Sequence, residues 1–207
     1  HPASDDLPHP NASLWNDEDI KNHALMTEAV HRHGALAGVE LWIGGARTAN
    51  LYTREVPMDV ASMPNLAGHA YQSRAMDKSD IRELRRWHRN AALRAKAAGF
   101  DVVYVYATHG YLLSHFLSSE TNTRGDEYGG SMENRARLLR ELIEDTKDAV
   151  GDQCAVAVRY SVGGDDGEDD VRIGRDLGQG LCVGTAQFFC KRGGNVLGEV
   201  VYTTYLI

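Results

Sequence analysis

Four groups able to do chemistry stand together in the middle of this chain: Tyr106, Thr108, His109 and Tyr111, directly after the apolar run Asp101-Val-Val-Tyr-Val. Phenol, hydroxyl and imidazole groups donate and accept hydrogen bonds, and phenol and imidazole also move protons. Two further polar groups belong to similar runs. Glu40 lies inside the apolar stretch 35–42, and Arg159 stands at the end of the stretch 154–158. A carboxylate inside an apolar strand is costly unless something hydrogen-bonds to it. The pattern to explain is therefore three apolar runs, each carrying one polar group near its C-terminal end.

The three runs read as short strands. The continuous β-branched and aromatic run 101–105 has the character of a strand buried on both faces, as in parallel sheets. Helical patterns precede and separate the runs. Asn16 is a good N-cap, with Asp17, Glu18 and Asp19 in the first turn, and Ile20, Ala24 and Val30 form a stripe to about His33 before Gly34 stops it. Ser79 or Asp80 starts a second helix, with Glu83 placed to close a capping box from Asp80. Ile81, Leu84, Trp87, Ala91, Ala95 and Ala98 recur at helical spacing up to Gly99. A third helix is predicted over 133–150, with Ala136, Leu139, Leu142, Ile143, Thr146 and Val150 on its apolar face.

Helix, strand, helix, strand, helix, strand means an α/β fold with a parallel sheet and right-handed crossovers. In such a sheet the C-terminal strand ends share one edge, so Glu40, His109 and Arg159 converge on one face. A (β/α)8 barrel and a doubly wound sheet both fit. No GxGxxG follows any strand, which favours the barrel.

Between these elements lie long connections. Residues 46–77 hold Arg47, Asn50, Tyr52 and Arg54 without clear periodicity, the mark of a lid, a binding loop or a contact surface. Gly44-Gly45 just before them allow another backbone, or a flat ligand, to come close. A loop of about twenty residues follows the central strand, longer than the usual βα connection. The tail 161–207 is rich in glycine, carries a dense acidic run to Asp170, and closes on an uncharged β-prone run over 200–207 that is an aggregation hazard unless paired.

Composition bounds the rest. The chain has 207 residues, 43% hydrophobic and 25% charged, which suits one soluble globular domain with its own core. Net charge is −7 with no basic cluster, so nucleic acid is not an expected partner. No apolar run is long enough to span a bilayer and no signal peptide opens the sequence, so a cytoplasmic location is the default expectation. Cys154, Cys182 and Cys190 have no CxxC spacing; reduced, buried thiols are expected and a metal site is not.

The stretch HGYLLSHFLSSETNTRGDEYGGSMENR, residues 109–135, resembles the signature of the Old Yellow Enzyme family of FMN-dependent oxidoreductases. It is most similar to the larger branch, which holds 2,4-dienoyl-CoA reductase and trimethylamine dehydrogenase. The HP-x-SD opening, GVELW-x-GG, AGFD-x-VYVY and the Arg-ending strand match in the same order, so the resemblance covers about residues 1–161. It implies that 1–160 is part of an FMN-binding (β/α)8 TIM barrel, about its third to fifth strands. The first two strands would precede His1, the last three and the phosphate site would follow Arg159, and 161–207 would be a divergent tail of no assigned role.

Carried over by position, the resemblance implies that Glu40 meets the polar edge of the flavin pyrimidine and Arg159 lies by N1 and O2, where a fixed cation stabilises charge gained on reduction. Tyr106 and His109 match the donors that face the substrate, and Tyr111 matches the proton donor of the ene-reductases. Tyr-x-x-His, where the classical branch has His first, tilts the expected reaction toward oxidation of a methylated amine. NAD(P)H-dependent reduction of an enone or a dienoyl-CoA is the alternative, and a non-catalytic barrel fragment, docked to missing strands or to a second copy as a homo-oligomer, is another. Arg47 and Tyr52 are placed at the mouth for a small-molecule substrate. Arg124, Asp126, Tyr128, Asn134 and Arg135 are expected to hold the loop onto the following helix. Plainer readings stand beside these: His109 as a loop histidine with a structural hydrogen bond, Glu40 and Arg159 as each other's ion-pair partner, Tyr111 as packing under the loop.

Overall fold

A computed structural model of the chain describes residues 1, 3–4, 12–66, 71–161 and 199–202. The first helix, α1, spans Glu18–His31. The Asn16 side chain accepts from the amides of Glu18 at 2.9 Å and Asp19 at 3.3 Å, so it supplies the cap the sequence assigns to it. Strand β1, Gly38–Leu41, is shorter than the predicted 35–42.

The segment 46–77 is not featureless. A 3-10 turn at Gly45–Arg47 opens it, and two short strands, β2 (Met58–Asp59) and β3 (Arg74–Ala75), pair in parallel. Helix α2 covers Lys78–Ala97 and starts earlier than predicted. Asp77, not Ser79 or Asp80, is the N-cap, and Asp80 is the third-position partner of the box. Glu83 pairs with Arg86 instead.

Strand β4, Val102–Ala107, follows. The loop after it contains a short helix, α3 (Leu112–Leu117), whose Leu112, Leu113, Phe116 and Leu117 are buried. The predicted helix 133–150 is two pieces, α4 (Met132–Arg135) and α5 (Arg137–Val150), meeting at Ala136. The buried Arg135 donates to the carbonyls of Leu117 at 2.7 Å and Gly130 at 2.8 Å, which pins the first turn to the preceding loop. Arg124 is bidentate on Asp126 and reaches the Met76 carbonyl at 2.6 Å, so the signature residues fasten β3 as well as the loop. Tyr128 donates to Glu141 of α5 at 3.0 Å, and Asn134 accepts from Arg137.

Strand β5, Ala155–Ser161, is longer than the predicted 154–158, which places Arg159 inside it rather than at its end. Cys154, just before it, is a buried free thiol whose pKa burial pushes up; Cys182 and Cys190 lie outside the described residues. Strand β6, Glu199–Tyr202, takes up part of the tail's β-prone run, whose remainder, with the acidic stretch, lies outside the described residues.

The sheet runs β1-β4-β5-β6, parallel across the first three strands and antiparallel between β5 and β6. Side chains alternate between its faces. Leu41, Val103, Val105, Val156 and Val158 point one way and share a core with Ile81 and Leu84 of α2 and Leu138, Leu139, Leu142 and Ile143 of α5. Burying each such side chain stabilises the fold by roughly 1.5–3 kcal/mol. The alternate positions, Gly38 and Glu40, Tyr104 and Tyr106, and Ala157 and Arg159, share the opposite face. Among the described residues the chain is thus an α/β protein with a mixed sheet, parallel over β1, β4 and β5, and with α2 and α5 packed on one side. Among the described residues no helix is long and apolar enough to cross a membrane.

Candidate active site

Register brings the polar groups of the open face together. Tyr106 of β4 pairs with Arg159 of β5, and Glu40 of β1 pairs with Tyr104, one alternation earlier. Arg159 therefore reaches diagonally across β4, and its Nη1 donates to both Glu40 oxygens, at 3.0 and 3.3 Å. The two side chains are 26% and 40% exposed, so the carboxylate never bears the desolvation cost expected of a buried strand position. A pair this accessible is worth at most about 1 kcal/mol to the fold. The Arg159 guanidinium also sits 5.4 Å from the centre of the Tyr106 ring.

Tyr106 extends the cluster into the loop. Its hydroxyl hydrogen-bonds to Nδ1 of His109. His109 has φ +59° and Gly110 φ +67°, two consecutive left-handed residues. That conformation is uncommon for a residue with a side chain, costs about 1–3 kcal/mol, and persists only where the surroundings enforce it. Here two contacts do so: the Tyr106 bond, and Arg47 Nη1 donating to the His109 carbonyl at 2.9 Å. Tyr111, the next residue, caps α3 and its amide donates to the Thr108 carbonyl. Its ring lies 4.9 Å from Trp42, 5.8 Å from Tyr106 and 5.8 Å below the Arg47 guanidinium.

All five residues singled out from the sequence, Glu40, Tyr106, His109, Tyr111 and Arg159, thus form one contiguous cluster, with Arg47 and Trp42 at its rim. The plainer reading of Glu40 and Arg159 as mutual partners is also true as geometry. Tyr52, expected beside Arg47, is 76% exposed. It lines a cavity of about 630 Å³ along β1 that includes Glu40 and Trp42 but not Tyr106, His109 or Arg159. That cavity overlaps only the β1 side of the cluster, so the site is defined by the open face of the sheet.

Sequence reasoning missed one part of this region. Asp59 is wholly buried and accepts from the amides of Ala46 and Val60 and from His115 Nδ1, itself buried in α3. Gly45, at φ +60°, permits this: a Cβ there would lie 2.3 Å from Asp59 Oδ2. Gly45 therefore admits the chain's own carboxylate and the backbone of Leu112, and Gly44 admits the Thr48 side chain. The glycines were visible in the sequence, but a contact between residues so far apart along the chain leaves no local signal.

The sequence profile of the NADH:flavin oxidoreductase / NADH oxidase family matches residues 2–177. The chain belongs to this family. The match runs beyond Ser161, where the motif resemblance ends. Dimethylamine dehydrogenase of Hyphomicrobium sp. (strain x) is 36% identical over 166 residues, 77% of this chain and 22% of that protein. NADPH dehydrogenase of Bacillus subtilis (strain 168) is 40% identical over 134 residues, 65% of this chain and 38% of that protein. The solved structure of histamine dehydrogenase from Rhizobium sp. 4-9 superposes with a TM-score of 0.76 at 46% identity, covering 81% of this chain and 25% of that one. The chain spans well under half the length of each of these family members.

Proposed function

We propose that the described α/β unit is part of a (β/α)8 barrel, about its third to fifth strands, and that its open face carries the ring of FMN in a flavin-dependent oxidoreductase. The observation that carries this reading is the Glu40–Arg159 pair on the sheet face opposite α2 and α5, with the Tyr106 ring against its cation. A flavin pyrimidine edge offers an N–H donor beside oxygen and nitrogen acceptors. A carboxylate acceptor next to a guanidinium donor is the complementary set, so the residues present fit the ring's edge. FMN, when bound, supplies the hydride-accepting or hydride-donating centre.

Around that centre each residue has a stated task. Glu40 accepts from the pyrimidine N–H. Arg159 lends a fixed cation where negative charge collects, a stabilisation realised only as that charge develops. Tyr106 and His109, joined by one hydrogen bond, face the substrate, and the left-handed turn holds the imidazole at the strand end. Tyr111 presents a phenol able to pass a proton to or from the substrate. The reading divides the chain into a flavin-bearing 1–160 and a tail, 161–207, to which it assigns no role.

The reaction favoured is oxidation of a methylated amine by hydride transfer to flavin, supported by Tyr106-x-x-His109 and by the amine dehydrogenases among the relatives. NADPH dehydrogenases among the relatives support a second reading, reduction of an enone with NAD(P)H as donor. Because the assigned residues reach only the ring, FMN affinity for this chain alone is expected to be weak.

The test is an anaerobic titration of the chain at saturating FMN. Bleaching of the flavin absorbance by a methylated amine, but not by NADPH, supports the first reaction. Bleaching by NADPH with recovery on adding cyclohexenone supports the second. A chain whose tryptophan fluorescence never responds to FMN up to millimolar concentration would overturn the flavin assignment.

A further inference from the structure

We infer that Asp59 and His115 are positioning residues of the Tyr106–Tyr111 cluster, acting on it through the Gly45–Arg47 turn. The inference rests on reading that cluster as the substrate side of the enzyme. Asp59 is the most deeply placed carboxylate near the site, at 0% exposure, and His115 is at 5%. Burying such a pair is expensive unless every oxygen and nitrogen is used. The carboxylate is used fully: Oδ2 accepts from Ala46 N at 2.5 Å and His115 Nδ1 at 2.8 Å, and Oδ1 accepts from Val60 N at 2.6 Å. With the carboxylate as acceptor, the imidazole proton must sit on Nδ1.

These bonds tie together three pieces of the chain through one carboxylate. The Ala46 bond fixes the 3-10 turn. His115 fixes α3, whose N-terminal residue is preceded by Tyr111. Asp59 itself belongs to β2. From the fixed turn Arg47 extends to the His109 carbonyl, and a Cβ on Gly110 would lie 3.2 Å from Arg47 Nη1 and 3.9 Å from His115 Nε2. The left-handed His109-Gly110 step is thus wedged between the arginine that the turn presents and the imidazole that the carboxylate holds. An exposed arginine normally samples many rotamers. This one is aimed by a buried carboxylate in β2 that holds the amide of Ala46, the residue before it in the turn, and its target is the backbone of a substrate-facing histidine.

Amide exchange in the isolated chain tests this without flavin. The Tyr111 amide donates to Thr108 O and the Leu112 amide to Ile43 O, so both report on the turn. In Asp59→Asn one oxygen must serve three donors, and these two amides are expected to exchange at least about ten-fold faster relative to Val103 and Val105 in β4. Arg47→Gln is expected to act on the same amides, and the double variant to go no further than Asp59→Asn alone. His115→Gln, whose amide can still donate to the carboxylate, is expected to keep slow exchange that His115→Ala loses, which decides the matter even if Asp59→Asn does not fold. In the flavin-loaded enzyme, Asp59→Asn is expected to lower kcat/KM by about 10- to 100-fold with flavin Kd within about three-fold.

Uniform acceleration across β4 and the turn, as Leu138→Ala sets for general loosening, would overturn the inference. So would no acceleration, or single effects that multiply in the double variant. A wild-type chain that never reduces flavin sinks the proposed function while leaving the exchange result to decide positioning.

Discussion

Arg159→Met separates a cation that holds the sheet from one that serves a ligand. The variant removes the contacts at 3.0 and 3.3 Å to Glu40 and the stacking at 5.4 Å on Tyr106. At 26% and 40% exposure the ion pair contributes at most about 1 kcal/mol, and the cation–π contact about 0.5–1 kcal/mol. The fold should therefore lose less than about 2 kcal/mol in urea denaturation. A charged donor on the flavin edge is worth about 1.5–3 kcal/mol, so FMN affinity should fall about 10- to 100-fold. Glu40→Gln breaks the same pair but keeps an oxygen on that edge, so it should cost the fold about as little and the flavin less than about ten-fold. Both are read from denaturation midpoints and from FMN fluorescence titration. A loss above about 3 kcal/mol in Arg159→Met, with FMN binding like wild type, would show that the pair is a strut of the sheet and not a flavin contact.

Three further outcomes follow from the packing. Gly45→Ala should destabilise by about 3 kcal/mol or fail to fold, because φ is +60° and the new methyl meets Asp59 Oδ2 at 2.3 Å; circular dichroism during urea denaturation checks it. His88, between α2 and α5 with Nε2 3.0 Å from Thr146 Oγ1, has its pKa pushed down by burial, only partly countered by Asp145, to about 4. The unfolded chain binds this proton more tightly, so stability should fall by about 2 kcal/mol, after allowing for partial solvent access, as pH drops from above 6.5 towards 4, and His88→Gln should flatten that part of the stability–pH curve. Tyr111→Phe removes a hydroxyl but keeps the ring between Trp42 and Arg47; stability should change by less than about 1 kcal/mol while turnover limited by proton transfer drops about 100-fold, and unchanged turnover would remove Tyr111 from its assigned role.

Much of this was legible because it is local. Strand 101–105 announced β4 through a run of Val and Tyr, and the shared C-terminal edge of a parallel sheet brought Glu40, His109 and Arg159 together. That Glu40, Tyr106 and Arg159 share one face took the observed register, since the runs read as buried on both faces. The motif 109–135 then pointed to the family. Element ends were less legible. The α2 cap moved to Asp77 because Asp80 is also the bidentate partner of Arg74, a contact across the chain that capping rules do not see. The break at Ala136 depends on where the buried Arg135 finds carbonyls, and α3 is too short to show a period. Glu40 reads as buried in a list of apolar neighbours, yet it points to the face opposite α2 and α5 and its side chain is 40% exposed. Asp59 and His115 carry no motif at all; only the folded backbone makes them neighbours.

The alternation of side chains across β1, β4 and β5 divides labour residue by residue. Odd positions of β1 and β4, with Val156 and Val158 of β5, answer to packing, and a change at Val103 or Val156 disturbs the join to α2 and α5. Even positions of β1 and β4, with Ala157 and Arg159, answer to whatever lies over the sheet. Such a chain can swap its chemistry one substitution at a time while its scaffold stays untouched. A designer wanting a new substrate would randomise positions 38, 40, 104, 106, 157 and 159 together and leave their immediate neighbours alone.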